Sequence, residues 1–362
     1  MVALVLDARR PPLGDGRGWL GLTWSPTHDV HHVGPLGADL AGGALGPALL
    51  LAEYATLSGE RDAAAACVEA LHDLQAVAGS PLGDRLEGRF ELNAWPLGGV
   101  AGPGALLHVA ARAAPHLGAP ALAEIVRAQL DRATRLLSTV PFGLGLATGL
   151  AGLQVQLLGA RHAIPSAAGE IDDLVRGTSA RLERALLDTA ERAEPPDVEA
   201  RLSRVLPAGR DGVALAVASA LAADMPLAET TATAATAALS RHASEPTFGG
   251  RLAALSIHGA AAISSCSPTA PATSLATVST AQLLAHATLW QRVVQLDDDE
   301  GHALQRDLAV LELLDRRQWS GRWFPDRLVD DHLHLSALDG LSALGRVLVR
   351  QLEPSLSVLS VA

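Results

Sequence analysis

A pair of glycines three residues apart, followed by an apolar run, recurs along the chain at a spacing of roughly fifty to sixty-five residues. The copies are Gly43-Ala44-Leu45-Gly46 before Ala48-Leu49-Leu50-Leu51, Gly99-Val100-Ala101-Gly102 before Ala105-Leu106-Leu107, Gly149-Leu150-Ala151-Gly152, and Gly209-Arg210-Asp211-Gly212 before Val213-Ala214-Leu215-Ala216. A frayed copy, Gly340-Leu341-Ser342-Ala343, precedes the last apolar stretch. The gap between the copies at Gly209 and Gly340 is about twice the usual one, so a sixth copy with its glycines replaced falls near Val278 to Ala281.

A repeat of this length, opening on small residues and continuing into apolar ones, predicts a helical hairpin per unit. The glycines mark where the inner helix of each hairpin starts, because backbones crowd there and a Cβ would clash. One antiparallel pair cannot bury its apolar face alone, so neighbours stack, and six can close on themselves. The predicted fold is all-α: an α/α toroid of six helical hairpins, an (α/α)6 barrel.

Hydrophobic content of 49% with only 3% aromatics fits Ala/Leu helix-on-helix packing and disfavours a β-rich fold. The repeat spreads over nearly all 362 residues, which predicts a single domain over 1–362. Within it, an irregular Pro/Gly-rich N-terminal segment covers 1–37, and the Pro/Gly-containing stretch 243–274 reads as a loop-rich insertion. Helices are predicted near 41–57 and 60–78, with Ser58-Gly59-Glu60 as the turn, then 98–114 with 119–138, 147–160 with 168–193, and 209–222 with 226–242. Beyond the insertion come 276–292 with 302–317, and 338–352.

A net charge of −11 with no Lys and no clustered basic surface excludes a nucleic-acid binder. No apolar run reaches about 18 residues and Met1–Arg10 has no basic stretch ahead of its apolar one, so a cytoplasmic protein without a membrane partner is predicted. Two cysteines, Cys67 and Cys266, make neither a disulfide framework nor a Cys-based metal site, and Cys67 reads as a small core residue. His28, His31 and His32 read as an exposed turn, and Asp297-Asp298-Asp299-Glu300 as a solvated turn that supplies charge to the next helix N-terminus.

Several of these stretches together resemble the lanthionine synthetase C-like cyclases, above all the cyclase half of class II lanthipeptide synthetases. Near the start they are Trp19-Leu20-Gly21-Leu22-Thr23, Gly34-Pro35-Leu36-Gly37-Ala38-Asp39-Leu40 leading into Gly43 and Gly46, and Leu57-Ser58-Gly59-Glu60. Near the end, Leu352-Glu353-Pro354 with Ser357-Val358-Leu359 is similar to the family's closing signature. The resemblance runs from about Trp19 to Leu359. It implies an α/α toroid independently of the repeat, and a role in closing thioether rings on a ribosomally made precursor peptide.

In that family a zinc bound by a Trp-Cys-x-Gly and a Cys-His-Gly motif makes the peptide Cys a thiolate at neutral pH, and a further His in a His-Gly motif shuttles protons. This chain departs at each position. The first motif matches Leu206-Pro207-Ala208-Gly209, with Pro207 in place of the Cys. The second matches Ser274-Leu275-Ala276-Thr277-Val278, putting Ala276 and Thr277 at the ligand positions; a competing register on Ile257-His258-Gly259 keeps one His and no Cys. The proton-shuttling His falls on Thr148. No metal or other cofactor is therefore implied.

Candidates for peptide contact are Arg210 and Asp211 at the fourth glycine pair, which the family geometry turns toward a central cavity, together with His258 and with His334 of Asp330-Asp331-His332-Leu333-His334. Helix packing and solvated surface are their bland alternatives. Two functions follow. One is a zinc-free cyclase adding Cys thiols to dehydroalanine or dehydrobutyrine; the other is a catalytically silent scaffold that binds the precursor peptide or a partner kinase, lyase or dehydratase. Because the chain has no kinase or dehydratase half, dehydration falls to separate enzymes. A toroid acting on sugars or isoprenoids would need paired carboxylates or an Asp-rich metal motif at an inner-helix start, and Asp297–Asp299 and Asp330–Asp331 are not so placed.

Overall fold

The computed structural model describes residues 2–7, 9–10, 18–25, 30–40, 43–78, 97–100, 102–139, 142–146, 148–187, 209–223, 225, 227, 229–242, 287, 290–291, 293–294, 300–320 and 341–352. Apart from three short strands, the regular structure among these residues is helical. The single domain predicted over 1–362 divides into two compact units. Unit 1 combines Met1–Asp73 with Gly259–Val358, and unit 2 combines Leu74–His258 with Leu359–Ala362.

Unit 2 holds the clearest expression of the repeat. Helices α4 (Pro103–Ala113), α6 (Leu150–Ala163) and α8 (Gly209–Ala222) pack in a row, α4 on α6 and α6 on α8. Their partners α5 (Ala119–Thr139), α7 (Ala168–Leu187) and α9 (Glu229–His242) each fold back on the preceding member of that row, and α7 also touches α5, α8 and α9. Composition separates the two layers. Inner helices such as α6 are apolar nearly all round and bury Leu150, Ala151, Leu153, Leu157 and Ala160. In the outer layer, α5 is amphipathic, buries Ile125, Val126, Leu130, Ala133 and Leu136, and turns most of its charges outward, Arg132 being buried. Each fully buried Leu or Ile contributes about 1.5–3 kcal/mol, so this row is the core of the unit.

What locks neighbouring hairpins is a contact between main chains. Leu97 N–H donates to Thr148 C=O at 2.7 Å and Gly99 N–H to Leu146 C=O at 3.2 Å, joining the segments that lead into α4 and α6. At this approach there is no room for side chains. A Cβ on Gly99 would stand 2.7 Å from Leu146 O, and one on Gly152 would overlap both Leu146 O and Gly99 N. Gly99 and Gly152, one from each of two pairs, thus lie where backbones crowd, between one helix start and the lead of the next hairpin. Three of the leads also close alike, with an N–H reaching a carbonyl seven residues back: Ala44 to Gly37 at 2.7 Å, Gly104 to Leu97 at 3.1 Å and Leu150 to Gly143 at 2.9 Å.

In unit 1, α2 (Leu45–Ser58) and α11 (Leu341–Leu352) pack together, and the short α1 (Val2–Asp7) touches both. Helix α2 ends at Gly59, whose φ of 71° is the left-handed conformation that suits glycine and lets its N–H cap Ala55 C=O at 2.8 Å. Helix α3 (Arg61–Ala78) follows directly, which matches the predicted turn at Ser58-Gly59-Glu60. The unit also holds α10 (Glu300–Ser320).

Residues 1–37 correct the sequence reading of an irregular segment. They contain α1 and the strands β1 (Arg9–Arg10), β2 (Gly18–Ser25) and β3 (Val30–Pro35) in an antiparallel sheet of order β1-β2-β3. The register pairs Leu20 with Pro35 and Ser25 with Val30. Aromatic and β-branched residues at Trp19, Thr23, Trp24, Val30 and Val33 favour strands. His31 and His32, read as part of an exposed turn, lie in β3 opposite Trp24 and Thr23. The sheet is pinned by Trp19, which is 2% exposed and donates its indole N–H to Val5 C=O at 2.8 Å. Arg9 lies over the Trp19 ring at 5.7 Å and reaches Glu69 Oε2 at 2.9 Å. The predicted insertion 243–274 and the sixth copy near 278–281 lie outside the described residues.

Two glycines of α6 test this account. Gly152→Ala forces main chains apart and is expected to lower stability by about 3 kcal/mol or more. Gly159→Ala adds a Cβ with nothing within 4 Å and is expected to raise it by roughly 0.5–1 kcal/mol. Urea unfolding followed by circular dichroism reads both, and equal responses would refute the interlock.

Candidate functional site

The predicted site residues gather, where they are described, at the starts of inner helices. Thr148 sits just ahead of α6, half-buried, with its carbonyl committed to Leu97 N–H. Its place in the interlock gives this residue a structural duty at the main chain, and a threonine hydroxyl is no proton shuttle at neutral pH. Arg210 and Asp211 occupy the first turn of α8, the inner helix that packs on α6. Pro207, Ala276, Thr277, His258 and His334 lie outside the described residues. As a donor set, Pro207 and Ala276 offer no ligating side-chain atom and Thr277 offers only a neutral hydroxyl, which does not fit a Cys/Cys/His zinc site. Among the described residues no three His, Cys, Asp or Glu side chains come together as a metal cluster.

Behind the helix starts, polar side chains buried in the apolar row hold α6 in place. Gln154, fully buried, donates to Ala216 C=O of α8 at 2.9 Å and accepts from Thr178 and Ser179 of α7, both at 3.0 Å. Gln156, 2% exposed, donates to Gly99 C=O at 3.3 Å on the other side. One residue therefore addresses the following hairpin and the other the preceding one. In unit 1 the equivalent device is ionic: Arg346 of α11 forks onto both carboxylate oxygens of Glu53 in α2, at 3.0 Å each, with the two side chains 3% and 2% exposed. The sequence reading passed over these four residues. Their signal is a polar side chain inside an otherwise apolar run, as in Leu49-Leu50-Leu51-Ala52-Glu53 and Leu153-Gln154-Val155-Gln156-Leu157.

Among the described residues the remaining chemistry is sparse. A polar cleft of about 250 Å³ on α5 is lined by Gln129, Asp131, Arg132 and Arg135 with Gln75 of α3, and it has charge to hold a small polar group. Cys67 of α3 is fully buried, and burial pushes its thiol up to about 12 despite the opposing influence of Arg9. It is a core residue, as predicted. No model of a known protein family matches the chain, and neither does any curated protein.

Cys67 is accordingly expected to resist alkylation in the folded chain at pH 8 and to react fully once urea unfolds it, as read by mass mapping of its peptide. Since only the unfolded chain ionises this thiol between about pH 8.5 and 12, stability is also expected to fall as pH rises through that window.

Proposed function

We propose that the chain is an α/α toroid of six helical hairpins that serves in ribosomal-peptide maturation as a zinc-independent, lanthionine synthetase C-like cyclase. The observation that carries this reading is the interlock of Gly99 with Gly152. It brings the leads of two successive helices of the glycine-pair repeat, α4 and α6, into backbone contact. Contact between α2 and α11 pairs the helix of the first glycine-pair copy with that of the last, as such a toroid requires.

The reaction asks little of a protein. The sulfur of a precursor Cys loses its proton to solvent, forms a C–S bond to the β-carbon of dehydroalanine or dehydrobutyrine, and the resulting enolate takes a proton at its α-carbon. Without a metal to depress the thiol pKa, the contribution left to the chain is to hold thiol and alkene together, worth up to roughly 7–11 kcal/mol in the most favourable intramolecular cases. Arg210 and Asp211 at the start of α8 are the proposed peptide contacts, with His258 and His334 as further ones. Separate cytoplasmic enzymes, a kinase and lyase or a dehydratase, supply the dehydrated residues. Thr148 at the shuttle position favours a second reading, a silent scaffold for the precursor or for those enzymes.

Elemental analysis of the purified chain is expected to find no stoichiometric zinc. One tightly held zinc per chain, lost on His258→Ala or His334→Ala, would overturn the assignment of Pro207, Ala276 and Thr277 to the ligand positions. Ring closure itself is read by mass spectrometry with thiol alkylation on a dehydrated precursor, with and without the protein, across a pH series. Rates are expected to exceed the uncatalysed ones and to climb toward the free thiol pKa of about 8.5. Identical rates and ring patterns in both samples would leave the scaffold.

A further inference from the structure

The cleft on α5 lies wholly within unit 2, because Gln75 comes from the end of α3 that belongs to that unit. Ala128, Asp131, Arg132 and Arg135 recur at spacings of three and four and so share one face of the helix. The volume of about 250 Å³ falls below the ~300–1,000 Å³ of ordinary small-molecule pockets, so a molecule that fits is small.

One atom of the lining lacks what its burial demands. Gln129 is 2% exposed; its Nε2 donates to Gln75 Oε1 at 2.9 Å, while its own Oε1, also buried, accepts no hydrogen bond. Buried amide oxygens are almost always paired, so this one marks a place for a donor. A second acceptor of the lining is open as well: Asp131 is exposed and makes neither a hydrogen bond nor an ion pair among the described residues. Two acceptors, one of them charged, call for an N–H group that carries positive charge.

The rest of the lining has the opposite character. Gln75 has its amide oxygen taken up by Gln129 and its Nε2 donors left over. Arg132 and Arg135 both interact within the chain, and they bring two guanidinium charges to the cleft. A simple cation would meet those charges. A simple anion would meet the Asp131 carboxylate and leave Gln129 Oε1 without its donor. A small molecule bearing an ammonium and a carboxylate together answers both halves.

We propose that this cleft binds a free α-amino acid as its zwitterion, the ammonium donating to Gln129 Oε1 and the Asp131 carboxylate, and the carboxylate accepting from Gln75 Nε2 and the guanidinium of Arg135. The site lies on an outer helix, and the inference does not depend on the cyclase reading.

The test is calorimetric titration of the full chain at neutral pH with L-serine, a small polar probe, and with two derivatives that each lack one charge. L-Serine is expected to bind, and N-acetyl-L-serine, without the ammonium, and L-serine methyl ester, without the carboxylate, are each expected to bind at least about tenfold more weakly. Asp131→Asn, at an exposed position, is expected to weaken L-serine by at least about tenfold. Gln129→Leu, which puts an apolar group of similar size in place of the orphaned amide, is expected to do the same. Glu124→Gln, at an exposed position of α5 outside the cleft, is expected to change nothing. Circular dichroism confirms that each variant keeps its helices. The proposal is overturned if millimolar L-serine gives no binding heat, or if Asp131→Asn leaves its affinity unchanged. Binding of the ester as tight as that of L-serine overturns it in favour of a cation site, and equally tight binding of the N-acetyl derivative in favour of an anion site.

Discussion

Unit 2 depends on how closely two main chains approach one another. At Gly99 and Gly152 the lead of one hairpin lies against the inner helix of the next with no side chain between, and two inter-segment hydrogen bonds, from Leu97 and Gly99, set the register. Everything outward follows from that spacing. Helices that start in backbone contact have axes close enough for Ala and Leu to fill the space between them, which is why a chain with 3% aromatics can have a packed core. The outer helices then need only one apolar stripe each, and α5 and α7 are built that way.

Close approach alone would leave the inner row free to slide, because an Ala/Leu surface is nearly uniform along its length. Gln154 and Gln156 remove that freedom from α6. A one-residue slip would break bonds to Ala216, Thr178 and Ser179 on one side and to Gly99 on the other, leaving buried amides unsatisfied at about 1–3 kcal/mol each. Glu53 and Arg346 act in the same way between α2 and α11. A buried ion pair adds little net stability over apolar residues of the same size, whereas any packing that separates the partners leaves a bare charge at a cost of about 3–5 kcal/mol. The polar residues inside the apolar helices specify which packing wins.

This division explains what was legible in the sequence. Periodicity reports which residues are helical and which are buried, so α8 was bounded to the residue and α3, α5 and α11 to within a few. The glycine pairs were readable because a repeated small residue ahead of an apolar run has few other uses. Non-local partners leave no such trace: nothing near Glu53 announces Arg346 almost three hundred residues away, and nothing near Gln154 announces Ala216. The strand pair β2 and β3 was hidden for a different reason. Its Pro- and Gly-rich surroundings read as irregular, and the alternation in Trp19 to Trp24 is short and interrupted by Gly21, so the strand signal was outweighed by its flanks. Of the site, the helix-start positions were legible, since they are tied to the repeat; whether they carry chemistry was not, since that rests on side chains such as Thr148 that depart from the pattern.

That departure bears on what the proposed cyclase could be. A metal site contributes by making a thiolate, and once its ligands are Pro, Ala and Thr the thiolate fraction is set by the peptide's own Cys, a few per cent at neutral pH. The chain has no described thiol to offer in exchange, because Cys67 is buried and held in its neutral form. What remains available to the fold is position. A rigid row whose helix starts are fixed by backbone contacts can hold an extended peptide in one geometry, and effective concentration then substitutes for ionisation: a few-per-cent thiolate held beside its alkene outpaces a fully ionised one diffusing free. The same rigidity suits a scaffold equally well. Under the proposed reading, catalyst and scaffold therefore differ by how closely the bound peptide's thiol and alkene are brought together, and the interlock at Gly99 and Gly152 is needed for both.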